Sequence, residues 1–107
     1  HYLCDTHTAV AWNVAQQYKK AMQPKNPVVI LSTASPYKFP VAVLGAIGGD
    51  TQGDEFDIMD RLHAMTGVPI PANLASLRDK AALHQDVIDK DAILSYVLQK
   101  VSEKTWH

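Results

Sequence analysis

The sequence predicts an α/β fold, rich in helix and carrying one strand of the parallel type, on three observations. Val28-Val29-Ile30-Leu31 is a run of four β-branched or aliphatic residues, suited to a strand covered on both faces. It leads through Ser32-Thr33-Ala34-Ser35 to Pro36 and Pro40, which bar a strand from continuing, and Pro40 suits the first turn of a helix. On either side of that junction, apolar residues recur at helical spacing. In open α/β sheets ligands bind just beyond the carboxyl ends of strands, so Ser32, Thr33, Ser35 and Lys38 stand where a site is expected. An ordinary strand-loop-helix connection with solvated polar groups is the competing reading of the same spacing.

The first element expected is a helix running to about Met22, capped by Thr6 or Thr8, with Asp5 a further candidate at the same end. Val10, Val14, Tyr18 and Met22 fall at i, i+4 spacing on one face, and Pro24 and Pro27 close the element. The strand Val28 to Ser32 follows. One strand cannot satisfy its own backbone groups, so its neighbours are sought in Tyr2 to Cys4, in Leu83 to Val87, or in chain outside this segment. Pro40 then opens a short helix whose Val41, Ala42, Val43, Leu44, Ala46 and Ile47 are apolar all round, which implies burial on several sides. Gly48-Gly49 reads as its stop. Asp54 caps a helix to about Met65, with Phe56, Met59 and Leu62 facing inward and Gly67 ending it. Val68-Pro69-Ile70-Pro71 reads as an extended crossing, followed by a helical turn from Asn73 to Leu77. Asp89 caps the last helix, and its stripe of Ile93, Leu94, Val97, Leu98 and Val101 reads as core.

Composition narrows the function classes. A chain of 107 residues that is 47% hydrophobic fits one small domain. Ten basic against eleven acidic residues, with no basic stripe, give no electrostatic case for a nucleic-acid partner. No apolar run is long enough for a membrane span. Cys4 stands alone, so no internal disulfide forms, which fits a reducing cytoplasm. His63 and His84 lack Cys, His or Asp partners at ligand spacing, so no metal site is expected. His7 and Thr8 lie at a helix start, where an anion is favoured and a histidine exchanges protons near neutral pH.

Two motifs give this pattern a family. Ser32-Thr33-Ala34-Ser35-Pro36-Tyr37-Lys38-Phe39-Pro40 resembles the S-T-A-H-P-A-K-F-P motif of threonine synthases, and Asp5-Thr6-His7-Thr8-Ala9-Val10 resembles their D-P-H-T-A-V motif. Thr66 to Lys80 is similar to the family's C-terminal portion. Thr6 replaces a frequent proline and Ser35 a frequent histidine. The resemblance implies a fold type II pyridoxal phosphate enzyme, a lyase of threonine biosynthesis that converts O-phospho-L-homoserine and water to L-threonine and phosphate. That family's Schiff-base lysine sits in an upstream F-K-D motif, which residues 1–107 lack, along with the loop that holds the cofactor phosphate. Residues 1–107 are therefore expected to be the C-terminal part of a pyridoxal phosphate-binding catalytic domain. The strand would belong to that cofactor-binding domain. The segment alone is expected to be inactive and to self-associate, chiefly through Val28 to Ser32. By the same resemblance Thr33 meets the pyridine nitrogen of the cofactor. From their places beyond the strand end and at the helix start, Lys38 and Thr8 are the substrate-binding candidates and His7 the catalytic one, with a solvated lysine and a plain threonine cap as the competing readings. Another fold type II lyase, or a non-catalytic interaction module descended from the enzyme's end, are the alternatives.

Overall fold

Asp5 starts the first helix in the computed structural model, which describes residues 2–103. Its carboxylate accepts from the amides of His7 and Thr8, two of the donors that a helix start leaves without intrahelical partners. The cap is thus Asp5, whose two oxygens serve two amides at once, and not Thr6 or Thr8. α1 spans Thr6–Met22 and ends on Gln23, which takes the left-handed conformation at φ 44°.

The expected α/β class is contradicted: among the described residues there is no strand. Val28 to Ser32 has no regular secondary structure, and Val29 and Leu31 are 81% and 79% exposed. The physical reason is pairing. A strand exists only as part of a ladder, and neither Tyr2 to Cys4 nor Leu83 to Val87 forms one with it. The remaining elements are helical: a 3₁₀ turn at Pro36–Lys38, α2 (Pro40–Ala46), α3 (Glu55–Thr66), α4 (Ala72–Ala75), 3₁₀ turns at Ser76–Asp79 and Lys90–Ala92, and α5 (Ile93–Glu103).

The core lies where α2 crosses α3. Val43 and Leu44 meet Ile58, Met59 and Leu62, and Tyr37 from the 3₁₀ turn completes the buried set. Pro40 opens α2 as expected, but the helix is not buried all round: Val41 remains exposed, as does Ile47 at its end, because its main neighbours, α3 and the preceding turn, cover one side. α3 follows its local signals closely. Asp54 accepts from the amide of Phe56, and Gly67 ends the helix at φ 70°. After α2 the Gly49 amide donates to the Leu44 carbonyl at 2.9 Å. A Cβ on Gly49 would fall 2.2 Å from Leu44 Cδ1, so that return of the chain needs glycine. The Tyr37 hydroxyl donates to the Val68 carbonyl, which also receives His63 Nδ1–H at 2.7 Å. These bonds tie the 3₁₀ turn to the segment that follows α3, and burial pushes the Tyr37 hydroxyl pKa up.

The outer helices differ. Val10, Val14, Tyr18 and Met22 of α1 are exposed, and so is the α5 stripe expected as core: Ile93, Leu94, Val97, Leu98 and Val101 are 49% to 71% exposed. α5 packs chiefly on the turn that precedes it. The radius of gyration, 19.5 Å, reflects this layout. A compact chain of this length has a radius of about 13 Å.

Candidate functional site

Two stretches distant in sequence meet at the start of α1. Asp5, 1% exposed, accepts through Oδ1 from the Thr8 amide at 3.2 Å and from the Thr8 hydroxyl. Through Oδ2 it accepts from the His7 amide at 3.1 Å and from His7 Nδ1 at 2.9 Å. The hydroxyls of Thr8 and Ser32 share a hydrogen bond of 3.1 Å, and Ser32 Oγ lies 3.2 Å from the Tyr2 hydroxyl. On the other side, the His7 ring sits edge-on to Phe39, with centroids 5.1 Å apart and planes at 60°. The segments Asp5 to Val10 and Ser32 to Pro40 therefore form one polar corner.

Electrostatics follow from those contacts. The Thr8 hydroxyl is the main cause holding the Asp5 carboxyl down to about 2, with help from the His7 ring and the two helix-start amides. Burial works in the opposite direction and is outweighed, because each donor favours the ionised form.

Beside the corner runs a groove of about 800 Å³ lined by Tyr2, Thr8, Trp12, Val28, Ile30 and Ser32. Its hydroxyls come from the corner and its apolar wall from Trp12 and the unpaired segment. Trp12 belongs to neither motif, and its signal in the sequence is its place four residues after Thr8, on the same helix face.

Of the residues expected at the site, His7 and Thr8 come together through Asp5. Thr33 and Lys38 do not join them. Thr33 is exposed and makes no side-chain hydrogen bond among the described residues. Lys38 closes the 3₁₀ turn, exposed, with no ion pair among the described residues, though its neighbour Phe39 touches the His7 ring. Pyridoxal phosphate requires an amine for its aldehyde, a partner for its ring nitrogen and donors for its phosphate. The uncommitted Thr33 hydroxyl has the chemistry for the ring nitrogen, but no lysine lines the groove. The residues present thus fit one edge of such a site, not the whole of it. Among the described residues no three His, Cys, Asp or Glu side chains converge as metal ligands, and no helix is long and apolar enough to cross a membrane.

In class, this is a helical protein with a small core, amphipathic outer helices left uncovered, and a carboxylate-histidine-hydroxyl corner assembled from two separate motifs. A family model described as threonine synthase, C-terminal, matches residues 8–97. The chain belongs to the threonine synthase C-terminal family. Thr8, Thr33 and Lys38 lie within the matched span, and Asp5 and His7 immediately before it. Neither a curated protein nor a solved structure gives a significant match.

Proposed function

We propose that the chain serves a threonine synthase that converts O-phospho-L-homoserine and water to L-threonine and phosphate, as the C-terminal part of its catalytic domain. The observation that carries this reading is the family match over residues 8–97. The meeting of the two motifs at the start of α1 supports it. Pyridoxal phosphate, when bound in the complete enzyme, supplies the electron sink that such eliminations need. A cytoplasmic enzyme of amino-acid biosynthesis is the setting that goes with this reading.

Thr33 then offers a neutral hydroxyl to the cofactor ring nitrogen and orients the ring without forcing that nitrogen to be protonated. Lys38, exposed at the end of its turn, provides a compact positive charge for the substrate or product phosphate. Thr8 presents a hydroxyl whose position is set by Asp5 and Ser32, and His7 exchanges protons at the same corner. The 107-residue chain by itself is inactive on this reading.

The test is phosphate release from O-phospho-L-homoserine by the complete enzyme. Thr33→Ala is expected to lower kcat by about tenfold or more, with a smaller change in KM, equivalent to roughly 1.4 kcal/mol in the barrier. An unchanged kcat together with an unchanged cofactor spectrum would remove Thr33 from the site. Turnover of a different phosphorylated amino acid in preference to O-phospho-L-homoserine would point to another lyase of the same fold type.

A further inference from the structure

The first motif contains more than a helix cap. Asp5 is almost fully buried, and its two carboxylate oxygens divide the work: Oδ1 takes the amide and hydroxyl of Thr8, and Oδ2 takes the amide and the ring Nδ1 of His7. An ionised carboxylate only accepts hydrogen bonds, so Nδ1 must be the donor. A neutral imidazole has one donor and one acceptor nitrogen, which leaves Nε2 with its lone pair free. Nε2 is across the ring from the carboxylate, and the His7 side chain is 75% exposed, so this nitrogen is open to a ligand. Phe39, from the second motif, bears on the ring from the side. Ring orientation and tautomer are thus both specified by neighbours, the arrangement by which a buried carboxylate prepares a histidine for general acid-base work.

We infer that Asp5 is a positioning residue that holds His7 as the Nδ1–H tautomer, with Nε2 presented to take a proton from the bound substrate or from water and to return it. The proton goes to Nε2, and the Asp5 carboxylate compensates the charge of the imidazolium that results. The inference rests on the proposed function for the identity of the ligand, but the tautomer itself does not depend on it.

The experiment has two arms. Long-range proton-nitrogen spectra of the ¹⁵N-labelled 107-residue chain, at a pH where the ring is neutral, are expected to give His7 a protonated Nδ1 and an unprotonated Nε2. Asp5→Asn keeps an oxygen acceptor for the Thr8 amide and gives up the bond from the His7 amide, so one of the two cap bonds remains. It also turns an amide donor toward Nδ1, so the tautomer is expected to switch to Nε2–H while helicity is retained. Wild-type His7 carrying Nε2–H, or an Asp5→Asn spectrum identical to wild type, overturns the inference.

In the complete enzyme, Asp5→Asn is expected to lower kcat by about tenfold with KM changed by less than about twofold, and to cost nothing further when added to His7→Gln. Additive losses with the tautomer as expected would overturn the proton-transfer role. A complete wild-type enzyme inactive on O-phospho-L-homoserine would overturn the proposed function alone and leave the tautomer result standing.

Discussion

α3 and α5 carry the same kind of apolar stripe and have opposite fates. In α3, Met59 and Leu62 are 6% and 0% exposed, whereas in α5, Val97 and Leu98 are 49% and 62% exposed. The difference is not one of helix quality. α3 has α2 lying against it, whereas α5 packs chiefly on the turn that precedes it, with Lys100 Nζ 3.3 Å from Asp86. Periodicity tells which face of a helix would be buried. Whether anything buries it depends on a partner, and full burial of one leucine-sized side chain is worth about 1.5–3 kcal/mol. α1 makes the same point at the other end: its stripe is uncovered while its polar start is fixed by Asp5.

The sharpest way to break this comparison is to truncate both stripes. Leu62→Ala removes a fully buried side chain from between α2 and α3, and is expected to cost about 2–5 kcal/mol in urea unfolding. A loss below about 0.5 kcal/mol would mean that the α2/α3 contact is not the stabilising core.

An intermediate effect is expected at α1. Asp5 is lowered from its ordinary 3.8 to about 2, so its contribution to folding is complete above the higher value and is lost as pH falls through the lower one. Helicity followed by circular dichroism from pH 5 to pH 2 should decline in the wild type, and Asp5→Asn should abolish that part of the decline. Identical profiles for the two proteins would detach the cap from α1's stability.

The smallest effect on stability belongs to α5. Leu98→Ser is expected to change unfolding by no more than about 0.5 kcal/mol, because the side chain is already in water. It should, however, weaken self-association in sedimentation measurements, since exposed apolar faces recruit whatever covers them. A chain that stays monomeric at all concentrations, with Leu98→Ser strongly destabilising, would show α5 to be packed in solution and the contrast with α3 to be wrong.

What the residues alone determined is what their own chemistry controls over a few positions. Pro40 set the start of α2, Asp54 and Gly67 bounded α3, and Met22 ended α1 before Pro24 and Pro27, because caps, fixed φ and the left-handed conformation act locally. The two motifs were legible as well, and with them the family.

Tertiary structure alone decided three things. It left Val28 to Ser32 unpaired, since a strand needs a neighbour that no local pattern supplies. It joined Thr8 to Ser32 and His7 to Phe39 across a long stretch of chain while leaving Thr33 and Lys38 outside that contact. It also chose which amphipathic stripe became core, because burial is a relation between two surfaces and a sequence pattern describes only one of them.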